Sequence, residues 1–87
     1  MSVIYKYPLH LPETVIEISY NFVPLCVQVQ NGKPHVWFLH PDLDAPKEKI
    51  KFQVIGTGQE FTPLSSYLGT FQIYEGALIF HVFYEKL

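Results

Sequence analysis

The sequence predicts an all-β fold, a small antiparallel sandwich or barrel-like meander of about seven strands. Apolar and polar side chains alternate with a period of two along most of the chain, as they do in half-buried strands. Turn-forming residues separate these runs at intervals of about 8–12 residues, the spacing typical of sandwiches and barrels. The pair Asn31-Gly32 stands between two such runs and is a strong hairpin signal. We expect residues 1–87 to form a single β domain with a modest core.

The first half of the chain should supply four strands. Residues 2–9 are rich in β-branched and aromatic side chains and form the first strand, which ends near Pro8. Pro12 follows in a short turn, and residues 14–19 alternate as a half-buried strand does. Strands 25–30 and 35–40 flank Asn31-Gly32, whose residues tolerate the positive φ angles of a type I′ turn.

The second half should supply three more strands. Residues 41–48 read as a loop, because two Pro and two Asp fall within them. A strand at 50–55 precedes a glycine-containing loop at 56–63, and a short helical turn at 62–67 is an open alternative to irregular chain. Strands 68–74 and 77–84 form a second hairpin about Glu75-Gly76.

Composition limits the classes of partner. Hydrophobic residues make up 48 % of the chain and charged residues only 16 %, against about 25 % charged in an average soluble domain. Some apolar side chains must therefore face outward, which favours a homo-oligomer. All basic residues are Lys, and without Arg or a basic run we expect no nucleic-acid partner. No apolar run is long enough for a membrane span, and the single Cys26 fits a reducing cytoplasm.

The register of the first hairpin points to a binding face. A two-residue turn places Gln30 opposite Lys33, and the alternation of side chains then assigns every residue to a face. The polar face would hold Cys26, Gln28, Gln30, Lys33, His35 and Trp37. The core face would hold Leu25, Val27, Val29, Val36 and Phe38.

Trp37 is the strongest candidate on the polar face. Trp is enriched at binding hot spots and can stack on a base, and Gln28, Lys33 and His35 would offer hydrogen-bond donors beside it. The alternative is that Trp37 packs in a second small core, and its predicted neighbour Cys26 supports that reading because free Cys prefers burial.

The second hairpin is apolar on both faces. Its register sets Ile73 opposite Leu78, Phe71 opposite Phe80 and Gly69 opposite Val82, with Thr70 opposite His81 on the reverse side. The strand from Ala77 to Tyr84 therefore suits a central position, or one whose outer face meets another chain. We predict a homo-oligomer contact through this strand.

Other candidate sites have simpler explanations. The loop Gly56-Thr57-Gly58 could bind an anion through its backbone N–H groups, or it could be a turn that needs positive φ. Neither Asp42 with Asp44 nor the four histidines make a metal site by spacing, and the histidines read as surface or sheet-edge residues. The histidines are His10, His35, His40 and His81. No catalytic constellation or cofactor motif is visible, so we expect no enzyme, metal or cofactor.

A string of short motifs resembles a known family along nearly the whole chain. The motifs are Tyr5-Lys6-Tyr7-Pro8-Leu9, Gln28-Val29-Gln30-Asn31-Gly32, Asp44-Ala45-Pro46-Lys47-Glu48-Lys49, Gly56-Thr57-Gly58, Gly69-Thr70-Phe71 and His81-Val82-Phe83. They resemble a family of short uncharacterised proteins encoded by phages, prophages and some bacterial genomes. The resemblance implies a small accessory protein that acts in the host cytoplasm by contacting host machinery, frequently a defence system.

Three functions are therefore carried forward. The first is a non-catalytic protein that binds and antagonises a host protein, plausible targets being components of an antiviral defence system. The second is an oligomeric sponge that sequesters a nucleotide immune signal through Trp37, other aromatic residues and Lys33. The third is an enzyme acting on a small molecule, which the absence of a visible acid–base pair disfavours.

Overall fold

The computed structural model describes all residues, Met1–Leu87, and contains strands and turns without helices. The strands are β1 Val3–Pro8, β2 Glu13–Ser19, β3 Val23–Gln30, β4 Lys33–His40, β5 Lys47–Gly56, β6 Ser66–Ile73 and β7 Leu78–Lys86. The seven strands and the all-β class confirm the prediction from alternation and turn spacing. No helix in the structure is long and apolar enough to cross a membrane.

The strands form two antiparallel sheets that pack as a sandwich. The three-stranded sheet has the order β1-β4-β3, and the four-stranded sheet has the order β2-β5-β7-β6. Their facing sides bury one apolar cluster, since alternate residues of each strand point inward. The fully buried members of this cluster are Leu9, Ile18, Val27, Val36, Phe38, Ile50, Phe52, Val54, Phe71 and Val82.

Both predicted hairpins form in the predicted register. Gln30 pairs with Lys33, Gln28 with His35 and Cys26 with Trp37. Asn31 and Gly32 have φ angles of 54° and 75°, the left-handed conformation that a type I′ turn requires. In the second hairpin Ile73 pairs with Leu78, and the other predicted partners also hold. The turn residues and the alternation were thus sufficient to predict the register of both hairpins.

Three local predictions were wrong, and one open alternative is decided. Leu25 is 47 % exposed instead of buried, because β3 has a bulge between Pro24 and Cys26 that leaves Leu25 as the extra residue. No helical turn forms at 62–67, where the chain enters β6. β5 already begins at Lys47, within the predicted loop 41–48. Tyr74 and Ala77 belong to the turn of the second hairpin and not to its strands.

One side of the sandwich is nearly closed. The edge strands β3 and β6 of the two sheets pack against each other at Val27 and Gly69. A Cβ atom on Gly69 would lie 2.8 Å from Val27 Cγ1, so only glycine permits this approach. β6 has its own bulge between Tyr67 and Gly69, so each strand of this seam bends close to the point of contact.

Candidate functional site

The tryptophan face is the solvent-facing side of the three-stranded sheet. β4 is the central strand, so its outward residues have neighbours on both sides. Pairing places Lys6 of β1 and Cys26 of β3 on either side of Trp37, and Pro8 and Gln28 on either side of His35. The residues of the face are Ile4, Lys6, Pro8, Val23, Cys26, Gln28, Gln30, Lys33, His35, Trp37 and Leu39.

Trp37 lies in the middle of this face. Its side chain is half-buried between the flanking strands, and the ring of His35 lies 6.0 Å away in a tilted arrangement. The structure therefore places Trp37 outside the sandwich core, although its neighbours cover part of the indole. An indole held in this way presents one fixed apolar surface to solvent, which suits a binding anchor.

Polar groups occupy one end of the tryptophan face. The Lys6 ammonium donates a hydrogen bond to Gln30 Oε1 across the width of the sheet. His35 Nδ1 lies 3.0 Å from the backbone carbonyl of Lys33. A carbonyl oxygen can only accept, so His35 carries its proton on Nδ1 and leaves Nε2 as an acceptor for a partner. The structure thus brings together Trp37, His35, Gln28 and Lys33, as the register predicted, and adds Lys6.

Apolar side chains occupy the other end. Ile4 and Val23 are exposed, Leu39 between them is half-buried, and Leu25 projects from the bulge beside them. Trp37 stands at the boundary between this apolar end and the polar end. The face thus combines exposed apolar side chains, one aromatic residue and polar groups, the kinds of residue that protein–protein interfaces use.

Charge is divided between the two sheets. Strands β1, β3 and β4 hold Lys6 and Lys33 but no carboxylate. The other four lysines and every acidic residue lie on the four-stranded sheet or in connecting segments. The acidic residues are Glu13, Glu17, Asp42, Asp44, Glu48, Glu60, Glu75 and Glu85. The tryptophan face is therefore positive on a protein whose formal net charge is −2.

The predicted loop Gly56-Thr57-Gly58 lies elsewhere, on the four-stranded sheet. The Thr57 amide donates to the Ile79 carbonyl at 3.0 Å, and the Gln59 amide donates to the Gly56 carbonyl at 3.1 Å. The Gly56 amide in turn donates to Gln59 Oε1 at 3.2 Å, and Gly58 has a φ of 89°. The Thr57 amide thus binds the neighbouring strand β7, while Gly56 and Gln59 close a turn between them, so the geometry of the loop is that of a turn held against β7. The two predicted groups of binding residues, the loop and the residues around Trp37, thus lie on separate surfaces.

A hydrogen-bonded row of hydroxyls about His81 was not predicted as a unit. Thr57 Oγ1 donates to the Ile79 carbonyl at 3.3 Å and accepts from His81 Nε2 at 2.7 Å. His81 Nδ1 then accepts from Thr70 Oγ1 at 2.9 Å, and the Tyr67 hydroxyl completes the row on Thr70. The register of the second hairpin predicted that Thr70 lies opposite His81. The hydrogen bonds of Thr57 to residues of β7 could not be predicted, because Thr57 follows a different strand. Both imidazole nitrogens are hydrogen-bonded to threonine hydroxyls, which fixes the orientation of the ring.

His40 corrects the prediction that all four histidines lie at the surface or at sheet edges. It is 2 % exposed, with Nδ1 2.9 Å from Ser19 Oγ and Nε2 3.1 Å from the Tyr7 hydroxyl. Burial, and secondarily the charge of Lys47, hold the pKa of His40 below its ordinary value of 6.5. Burial, and secondarily Tyr5, raise the pKa of Tyr7 above 10.0. The network is therefore neutral at pH 7 and belongs to the core.

Metal-ligand side chains are dispersed in this fold. No group of three or more His, Cys, Asp and Glu residues lies close enough together to hold a metal ion. Cys26 is a free, half-buried thiol on the tryptophan face.

Comparison with known proteins yields a family but no characterised relative. Residues 1–87 match a family model described as a domain of unknown function, DUF7352. No curated protein matches the chain. No solved structure matches it either.

Proposed function

We propose, from the premise that this chain belongs to the DUF7352 family of unknown function, that it is a non-catalytic binding module. Its tryptophan face docks onto an acidic surface of a protein partner. The observation that carries the proposal is a half-buried Trp37 at the centre of a face that holds two lysines and no carboxylate.

The energetics of interfaces support this role. Aromatic residues in the middle of an interface account for a large share of binding free energy when surrounding contacts exclude water. Ile4, Val23 and Leu39 can supply that surrounding contact on one side of Trp37. Lys6 and Lys33 add electrostatic attraction, which raises the association rate for an acidic partner and weakens with salt.

The motif resemblance supplies the setting of this proposal. Short phage and prophage proteins of this kind act on host machinery, so we propose a host protein as the partner and a component of antiviral defence as the target. A free Cys26 is compatible with action in the reducing host cytoplasm.

A capture experiment tests the tryptophan face. The immobilised protein, its Trp37→Ala variant and the control Tyr74→Asn are exposed to host lysate, and any enriched protein is then purified and titrated. Tyr74 is a 75 % exposed aromatic residue in the turn between β6 and β7, outside the residues of the tryptophan face. We expect Trp37→Ala to weaken binding of the purified partner by about 2 kcal/mol, roughly thirtyfold in Kd, and Tyr74→Asn to leave it unchanged.

A second variant guards against loss of folding in Trp37→Ala. The double substitution Lys6→Glu and Lys33→Glu reverses the charge at two exposed positions outside the core, and we expect it to reduce binding most strongly at low salt. Equal binding by the native protein and both face variants would contradict the proposal. So would a cyclic or ADP-ribose-type nucleotide that raises the melting temperature of the native protein but not of Trp37→Ala, since it would indicate nucleotide sequestration. Consumption of such a nucleotide would instead indicate an enzyme.

A further inference from the structure

The aromatic cleft is a second surface feature, separate from the tryptophan face. It is an open cavity of about 660 Å³ at one end of the sandwich, where the start of β3 faces the start of β6. Its lining residues are Tyr20, Phe22, Pro24, Ser65, Ser66, Tyr84, Glu85 and Lys86. Its volume falls in the range of about 300–1,000 Å³ that is typical of ligand sites.

The cleft exists because the seam between the sheets opens at this end. β3 and β6 touch at Val27 and Gly69, and each has a bulge between that contact and the cleft. The bulges bend the two strands, and Phe22 and Tyr84 line the space beyond them.

The aromatic walls are held in place by the core. The Phe22 ring packs edge-on against Phe38 at 5.2 Å and against Tyr84 at 6.0 Å, while Tyr84 stacks on Phe52 at 5.9 Å. Tyr20 stands at the rim, 47 % exposed, and Lys86 Nζ donates to its carbonyl at 2.9 Å. Because these rings are already ordered, a ligand loses little side-chain entropy from the protein on binding.

Polar groups on the rim provide donors and negative charge. Tyr20, Tyr84 and Ser66 bring hydroxyl donors to the cleft. Glu85 accepts from the Ser65 amide at 3.0 Å, and Glu48 pairs with Lys86 at 3.4 Å. Glu48 is not part of the lining, but its pairing with Lys86 leaves Glu85 as the lining charge without an ion-pair partner. The cleft therefore favours a cationic ligand and disfavours a phosphate.

The backbone at the cleft argues against an added β-strand. Pro24 has no N–H to donate, and the bulge after it interrupts the ladder of β3. A polyproline II segment needs no strand pairing: it is extended by about 3.1 Å per residue, and its backbone carbonyls remain free to accept hydrogen bonds. Aromatic-lined open grooves bind such segments through proline rings packed on the aromatic side chains.

We propose that the aromatic cleft binds a proline-rich segment in the polyproline II conformation, with Lys or Arg beside the prolines. The prolines pack against Tyr20, Phe22 and Tyr84, the hydroxyl groups donate to their carbonyls, and Glu85 attracts the flanking cation. This site does not depend on the tryptophan face, so either proposal can fail alone.

Amide chemical shifts of the intact ¹⁵N-labelled protein test the site. The probe is a peptide of six prolines flanked by one arginine at each end, titrated to about 1 mM, a range that detects even weak binding. The matched peptides replace the prolines by alternating Gly and Ser, or the arginines by glutamates. We expect the first peptide to shift amides around the cleft, the glutamate peptide to bind more weakly, and the Gly/Ser peptide to have no effect. Absent shifts, equal shifts with the Gly/Ser peptide, or shifts confined to the tryptophan face would overturn the proposal.

A pair of tyrosine variants localises the contact. Tyr20→Ala removes the exposed wall of the cleft while leaving the core rings intact, and we expect about a tenfold rise in the Kd of the proline peptide. Tyr74→Asn removes an exposed tyrosine at a distant turn and should bind as the native protein does; its φ of 53° is one that Asn tolerates. Unchanged affinity in Tyr20→Ala would overturn the assignment of this cleft.

Discussion

His40 shows what burial of one titratable side chain implies for the whole fold. The groups that face it are Tyr5, Tyr7 and Ser19, with Lys47 the charged group that acts on it. Because its pKa is lower in the folded protein than in the unfolded chain, the unfolded chain binds more protons near pH 6. Stability is therefore complete above pH 6.5 and declines as the pH falls from there towards the folded pKa.

The first prediction concerns this residue. Urea unfolding midpoints of the native protein should fall between pH 7.5 and pH 5, whereas His40→Gln should be less stable overall but flatter with pH. His10→Gln is the control, since His10 is exposed and forms hydrogen bonds only through its backbone. An equally steep pH dependence in His40→Gln would show that another group titrates.

His40 was predicted to lie at the surface or at a sheet edge, although the sequence contains a signal for the opposite position. His40 is separated from Val36 and Phe38 by even numbers of residues, so the alternation along β4 that buried those two residues applied to His40 as well. Its partners Ser19 and Tyr7 come from β2 and β1, and no local pattern brings those strands to the end of β4. The same holds for Trp37. The hairpin register predicted the face on which Trp37 lies, but not its neighbour Lys6, because that contact requires the pairing of β1 with β4.

At the scale of elements, the contact between β3 and β6 joins two sheets without backbone pairing. Gly69 meets Val27 at a distance that leaves no room for a methyl group. Because the packing here is this dense, any atom added to Gly69 would push against β3. β3 and β6 are far apart in the sequence, and no local sequence pattern indicates that they will touch. The contact between them could therefore not be predicted, whereas the two hairpins that contain these strands could.

Gly69→Ala should therefore destabilise the protein by about 1–3 kcal/mol through overpacking. The added Cβ would meet a Val27 methyl at 2.8 Å, so Val27→Ala in the same chain should recover part of the loss. Gly56→Ala serves as the matched control, because its nearest neighbours would be 3.7 Å away. Chemical denaturation of the three variants measures these differences. A Gly56→Ala loss as large as that of Gly69→Ala would point to backbone flexibility instead.

At the scale of the whole molecule, the apolar outer face of β7 has an explanation within the chain. β7 is central in its sheet, and Phe83 on its outer side is covered by Phe61 and Tyr67 at 5.4 Å each. The part of this outer face that is left open lies near the second hairpin turn, where Ile79 is exposed. We therefore predict that the homo-oligomer contact through residues 77–84 uses the end of β7 next to the hairpin turn.

Light scattering over a dilution series checks that contact. We expect native protein to associate and Ile79→Lys to remain monomeric, because a charge in an apolar contact is costly to desolvate. Val15→Lys introduces the same charge at a 53 % exposed position on β2 and should associate normally. A native protein that is monomeric at all concentrations would refute the contact.

The location of Trp37 also makes its intrinsic fluorescence a probe of binding to one surface of the protein. The chain has one Trp, and it lies on the outward side of the three-stranded sheet, while the cleft between β3 and β6 contains only phenol and phenyl rings. Trp37 fluorescence should therefore change when a ligand binds the tryptophan face and should not change when a ligand binds the aromatic cleft. A blue shift in emission on mixing would identify the occupied surface in an unlabelled sample, before any variant is made.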